Sequence, residues 1–434
     1  MSLPSKVRDT ALDLLSFIDA SPSPWHAVAS AARRLEASGF SAIDEGARWS
    51  LRPGDRHYVV RGGSSLIAFI VGSQSLAEDG FRIVGAHTDS PGLRLKPRPA
   101  LGGDGLARLA VEVYGGPILA TFADRDLGLA GRVFLRGRSG PEARLLRVAR
   151  PLLRLPNLAI HMNREVNESG LKFDKQTELP LLLGLMGKDG SAESRLRGLL
   201  AEAVQADPND LMSWELAAYD VQPGSLWGAD EEFIASRQLD NLASCHAGLS
   251  ALATVQAPVA TCVAALFDHE EVGSESAVGA GGSFVGDVLA RVGLALGLDE
   301  EDRRRTLAHS FFVSADMAHA WQPNFPAAYE PDHKVMVNGG PVIKSNANQR
   351  YATEAATAAR FMEACRKAGV PFQQYAHRGN LGCGSTIGPI VAARLGIPSV
   401  DVGSPMWAMH SARESAGAHD PASMVAALAA VYAD

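Results

Sequence analysis

The sequence predicts an α/β protein whose main domain is interrupted by a second, β-rich one. Three observations carry that expectation. Helical and strand-like runs alternate toward both ends of the chain, while residues 97–235 consist of Gly-centred turns between alternating strand-like stretches. The 434 residues are also about three times the size of a usual single domain.

Composition narrows the class. Hydrophobic residues make up 46% and charged residues 21%, which excludes a largely disordered or fibrous chain. Forty-one Lys and Arg against 48 Asp and Glu give a net charge of −7, with no broad basic footprint for nucleic acid. The four cysteines form no CxxC pair, so neither a disulfide framework nor a structural zinc knuckle is expected, and a reducing cytoplasm fits them. The N-terminal stretch carries Asp9 and Asp13 among its apolar residues and reads as an amphipathic helix, not as a signal peptide. The longest apolar region, Leu242 to Phe267, is broken by His246, Gln256 and Pro258, so no membrane span is expected.

Taken in order, a helix over 5–20 ends at SPSPW, and a second runs from His26 to Ser38, where Gly39 stops it. HYVVR (57–61), SLIAFIVG (65–72) and FRIVGA (81–86) read as buried strands. Residues 97–235 form the inserted domain, with a polar helix around Glu193–Ala206. The main domain, 1–96 and 236–434, then resumes with a helix at 240–254, a strand at 259–267, a helix at 284–297, a strand at 311–315, a helix at 353–368, a strand at 397–403 and a last helix from 421. GCGSTIG (382–388) reads as a tight turn leading into a helix.

Four polar clusters follow directly on these strand-like runs: His87-Thr88-Asp89, Asp268-His269-Glu270-Glu271, Asp316, and His410 a few residues beyond 397–403. Sites in open α/β sheets form at the carboxyl ends of strands. His87-x-Asp89 sets a carboxylate where it can hold one ring nitrogen while the other binds a metal. The adjacent Glu270 and Glu271 repel each other unless a cation lies between them. Asp240, in SRQLDNLAS, taken by itself reads first as a helix N-cap, and Asp316 can likewise cap a following helix.

Together His87, Asp240, Glu271, Asp316 and His410 supply two imidazoles and three carboxylates, enough for two divalent ions sharing one carboxylate. Zinc suits this set, as do manganese and cobalt, and Glu270 is left over as a general base. Other chemistries fail. In HEEVG the second metal histidine of a helical zinc site is replaced by Gly273, and neither a nucleophile elbow nor a phosphate-binding loop occurs.

At these residues the chain resembles the aspartyl aminopeptidases, a family of dinuclear metallo-exopeptidases. The resemblance runs through SPSPWHAV, GAHTDSPGLRLKP, VEVYGGP, DRDLGLAGRV, LAIHMNREVNE, SRQLDNLAS, DHEEVGSESAVGA, SADMAHA, KSNANQRYAT and MHSARESAG. It implies a three-layer α/β/α catalytic domain, an inserted dimerisation domain and a dodecamer built from dimers. It further implies that His87 and Asp316 bind one metal, Glu271 and His410 the other, that Asp240 bridges them, that Glu270 is the base and that Asp89 orients His87. His161, which bottom-up reading makes an ordinary strand histidine, is implied to contact substrate in the partner subunit's active site. His269 departs from the family's common Asn, and GSPMWA before His410 is atypical.

The expected activity is cytoplasmic removal of N-terminal Asp or Glu from peptides. An acidic side chain needs a cation, for which Lys344 is the candidate, Arg350 the fallback, and a solvated surface lysine the bland alternative. Two rival readings remain: a related carboxypeptidase or N-acyl amino acid deacylase, and an inactive self-assembling protein.

Overall fold

The computed structural model describes residues 3–187 and 190–434. The chain divides into two compact units. The first comprises the chain up to Asp89, Gly224–Met409 and Glu414–Asp434, and the second comprises Ser90–Pro223 with His410–Arg413.

The first unit is built on a nine-stranded sheet. Its order is Ser41–Ala42, Arg56–Arg61, Ser65–Ile70, Thr261–Phe267, Phe81–His87, Phe311–Ala315, Ser399–Gly403, Val342–Ser345 and Gln373–Ala376. The four central strands, Thr261–Phe267 through Ser399–Gly403, are mutually parallel. Such strands are covered on both faces, and alternation along each one shows it. Leu66, Ala68, Ile70, Val84 and Ala86 pack into one core with Leu14, Ala31, Leu242 and Leu428 of four helices: Ser5–Asp19, Pro24–Ala37, Leu239–Thr254 and Asp420–Tyr432. Ile67, Phe69, Phe81 and Ile83 point the other way, into a core shared with Phe284, Val288, Ile387 and Val391 of the helices Phe284–Ala295 and Ile387–Leu395. The result is three layers, helices–sheet–helices.

Several expected elements need correction. Asp240 is not an N-cap: Gln238 holds that position for the helix Leu239–Thr254, and Asp240 and Asn241 are non-helical. Asp316 caps no helix either, because the chain continues into the short strand Ala318–His319. The helix Glu300–His309 is too polar to reveal itself by periodicity, and Asp299 starts it by accepting from the Asp302 amide. A small second sheet in this unit joins Ser225–Trp227, Phe233–Ser236, Glu414–Gly417, Pro405–Trp407 and Ala318–His319. These pairings return the chain to the first unit at Gly224, earlier than the change in texture at 235 suggests.

The second unit is a six-stranded antiparallel sheet ordered Pro141–Leu153, Leu127–Arg136, Leu211–Asp220, Gly92–Gly103, Leu106–Tyr114 and Leu181–Leu185. The helix Ala192–Val204 buries Leu196, Leu200 and Ala201 in its core. The strand Gly92–Gly103 already sends Leu93 and Leu95 into that core, so the unit begins at Ser90 and not at 97. His161 lies on no strand: it sits exposed in the 3-10 turn Ile160–Met162. Among the described residues, no helix is long and apolar enough to cross a membrane.

Gly403 ends a central strand where a Cβ would collide with the carbonyl oxygen of Asp316. Backbone cannot swing aside as a side chain does, so Gly403→Ala is expected to cost at least about 1–3 kcal/mol of stability. Thermal unfolding of the variant checks this, and an unchanged midpoint would mean that the two strand ends are not packed as described.

Candidate metal centre

His87 is the last residue of a central strand and is 1% exposed. Both neighbouring strands run parallel to it, so all three deliver their next residues to the same edge. Phe267 pairs with His87, and the following turn carries Glu270 and Glu271 on one side. Asp316 follows Ala315 on the other, its amide donating to Val402 O at 2.8 Å. Asp240 arrives from the start of the helix Leu239–Thr254, joined to Asn241 by a cis peptide bond. Its amide donates to Glu414 Oε2 at 3.1 Å, and Asn241 Nδ2 donates to Ala315 O at 2.9 Å.

These groups converge on one ring nitrogen. His87 Nε2 lies 3.5 Å from Asp240 Oδ1, 3.5 Å from Asp316 Oδ1 and 3.9 Å from Glu270 Oε2. Two trios, His87–Glu270–Asp316 and His87–Asp240–Glu271, each offer ligand atoms within 4.8 Å of one another. Nδ1 of His87 donates to the Asp89 carbonyl at 3.0 Å, which leaves Nε2 as the nitrogen able to coordinate a metal.

Asp89 does more than orient this ring. Its carboxylate, fully buried, accepts the amides of Glu270 and Glu271, each at 3.2 Å, and so pins the turn that carries both glutamates to the strand end that carries His87. The turn itself requires a left-handed residue at His269, φ +64°. Asn, Asp and His enter that region more readily than other residues, so His in place of the usual Asn keeps the backbone path. Its Nδ1 is further held by Ser276 Oγ at 2.8 Å.

Electrostatically the cluster calls for positive charge. Asp89, Asp240, Glu270, Glu271 and Asp316 surround one imidazole. Burial pushes Glu270 up to about 8, with the charges of Asp316, Asp89 and Asp240 adding to it and His87 opposing. Burial also works against a charged His87, but Asp240, Asp316, Asp89 and Glu270 outweigh it and hold the ring well above its ordinary value. Buried carboxylates that retain a proton on the one imidazole among them form a donor set for a hard or borderline divalent cation, and the nitrogen–oxygen set fits zinc, manganese or cobalt.

Lys344 is no solvated surface residue. It is 1% exposed, its Nζ donates to the carbonyls of Asp316 and Met317 at 3.0 and 3.1 Å, and it lies 3.6 Å from Asp316 Oδ2. Arg350 Nε is taken up by Cys383 O at 3.2 Å. Cys245 Sγ contacts His87 O at 2.9 Å, and burial pushes this thiol up to about 12.

His410 belongs to the second unit and not to the sheet domain where its sequence neighbours place it. The reason is local pairing: Ile118 N donates to His410 O at 2.9 Å, and Ala412 N to Thr121 Oγ1 at 2.8 Å. His410 Nδ1 donates to Gly116 O at 3.0 Å, the same arrangement that directs His87. Neither trio includes His410, and His161 lies in the second unit as well. Glu414, which holds Asp240, escaped sequence reasoning although it sits inside MHSARESAG.

Comparison with known proteins gives one consistent answer. Residues 17–432 match the family described as aminopeptidase I zinc metalloprotease (M18). A probable M18 family aminopeptidase 2 of Streptomyces coelicolor is 46% identical over 435 residues, spanning 99% of each chain. The cryo-EM structure of an Ape4–Nbr1 complex superposes with a TM-score of 0.96 at 37% identity, covering 100% of this chain and 87% of that one. The dodecamer of mApe1 from S. cerevisiae gives 0.84 at 27% identity, covering 98% and 96%.

Removing the Asp89 carboxylate takes away no ligand of either trio and leaves the ring its bond to the Asp89 carbonyl, but it unpins both glutamates. Asp89→Ala is therefore expected to weaken metal binding about 10–100-fold. Competition with a chelator measures this, and an unchanged affinity would remove Asp89 from its positioning role.

Proposed function

The chain belongs to the M18 family of zinc metallo-aminopeptidases, and we propose that it removes acidic N-terminal residues from peptides at a centre of two divalent cations, zinc first among them. The observation that carries this reading is the meeting of His87, Asp240, Glu270, Glu271 and Asp316 at the carboxyl edge of three parallel strands. In the proposed assignment His87 and Asp316 would hold one ion, Glu271 and His410 would hold the second, and Asp240 would serve both. Bound there, divalent cations supply Lewis acidity toward a water molecule and the scissile carbonyl.

The remaining work falls to protein groups. Glu270 takes the proton from the attacking water on its carboxylate and returns it to the departing amine, and a carboxyl shifted toward neutrality suits that task. Asp89 keeps the coordinating nitrogen of His87 directed inward. His161 of the partner subunit donates to the developing oxyanion, a role consistent with its exposure here. Lys344 supplies the charge that an incoming acidic side chain requires, from beside Asp316.

The second unit serves as the dimerisation domain, and dimers build a dodecamer, the assembly in which the similar mApe1 is found. The setting is cytoplasmic, in keeping with cysteines that are all free thiols.

Two measurements test the reading. Anilides of Asp and Glu are expected to be hydrolysed far faster than those of Leu and Lys, and stripping the metal is expected to abolish turnover of all four. A leucine preference would sink the acidic specificity. Glu270→Gln should retain its metal while turnover falls about 10²–10⁴-fold, whereas Glu271→Gln should lose metal. The reverse pattern would exchange the roles of the two glutamates.

A further inference from the structure

Asp240 reaches the metal centre from the first turn of a helix, where a carboxylate ordinarily turns back onto the helix's own unpaired amides. Here it does not: its Oδ1 lies 3.5 Å from His87 Nε2. The N-cap residue, Gln238, makes no side-chain hydrogen bond to the helix either. The Asp240 amide is instead received from a distant segment, by Glu414 Oε2 at 3.1 Å.

Strand pairing sets Glu414 there. Phe233–Ser236 and Glu414–Gly417 run antiparallel with Ser236 opposite Glu414. After Ser236 the chain passes through Gln238, left-handed at φ +54°, and so returns the Asp240 amide to the glutamate side chain. Both residues are buried, Glu414 at 1% exposure. On the other side Asn241 Nδ2 donates to Ala315 O at 2.9 Å, one residue before Asp316. The segment is thus held between two strands. An amide needs only a neutral oxygen to satisfy it, and one more carboxylate buried beside five is costly. What the carboxylate adds is a charge-assisted bond, about twice as strong as a neutral one, behind the ligand assigned to both ions.

We propose that Glu414 is a positioning residue of the metal centre: by capping the Asp240 amide from outside the helix, it leaves the Asp240 carboxylate turned toward the His87 ring. This rests on the two-ion reading and deepens it. Because Asp240 is the ligand shared by both ions, loosening it weakens both together, whereas a fault at any other ligand weakens one first.

Chelator competition for zinc on the full-length protein measures the affinity of each ion. Glu414→Ala is expected to weaken both about 10–100-fold, the range for losing the partner that orients a metal ligand. Glu414→Gln, which keeps the reach and an accepting oxygen, should lose less. Glu414→Asp keeps the charge but is one methylene shorter, and it should fall with Glu414→Ala. Loss of one ion alone, or a Gln variant as weak as the Ala variant, would overturn the proposal. So would a lower thermal midpoint of metal-free Glu414→Ala with both affinities intact, the mark of a residue that only secures the strand pair. Should Glu414→Ala fail to fold, the comparison of Gln with Asp decides the matter, and equal affinities in the two would overturn the proposal. A single ion bound by the unmodified protein would sink the two-ion reading, while the order of Gln above Asp and Ala at that ion would still decide the role of Glu414.

Discussion

Mutual repulsion among five carboxylates gathered around one imidazole is the constraint on which the rest of the sheet domain depends. Three adjacent parallel strands end together, and each delivers acidic residues to the same edge. Left to themselves, such groups would separate or take up protons. The chain holds them with two amides on Asp89 and with the His87 ring, which keeps its proton among Asp89, Asp240 and Asp316. The ammonium of Lys344 adds a second positive charge, 3.6 Å from Asp316 Oδ2. Five carboxylates against these two cationic groups leave the cluster short of positive charge, which divalent cations would supply.

The same constraint accounts for local backbone choices. A turn able to project two consecutive glutamates into one site must reverse abruptly after a buried strand, and it does so through His269 and Gly273, both left-handed. Asp316 must stop immediately after its strand, and Gly403 next to it has no Cβ because the carbonyl of Asp316 occupies that space. Asp240 leaves the helical path at the very start of its helix, where Glu414 and the side chain of Asn241 tie the segment down. In each case the local rule that is broken lies within one or two residues of the cluster.

This also explains how much was legible in the sequence. The strands Phe81–His87 and Phe311–Ala315 stand out because full burial makes them unbroken apolar runs, and a polar residue just after such a run marks the sheet edge. The gathering of His87, Asp240, Glu270, Glu271 and Asp316 follows from that placement. What depends on pairing across distant segments was hidden. Nothing local tells that His410 pairs with Ile118 and so travels with the second unit, or that the amides after His269 are received by Asp89. The strand Gly92–Gly103 was obscured by its prolines and lysine, and Gln373–Ala376 by being short and polar. Asp240 and Asp316 resembled caps because a carboxylate at an element boundary serves capping and ligation equally well until its neighbours are known.

The division of labour proposed for Glu270 and Glu271 rests on their position on a 3-10 turn, where successive side chains diverge by about 120°. Each therefore meets a different neighbour: Glu270 joins His87 and Asp316, while Glu271 joins His87 and Asp240. A ligand must be fully ionised, whereas a general base works best when its pKa lies near the operating pH. Glu270, buried and facing three other carboxylates, is displaced upward to about 8, and cations nearby act in the opposite direction, drawing it back toward neutrality. A carboxyl balanced between those two pressures can both take and return a proton, so its burial supports a base at this position rather than a sixth ligand.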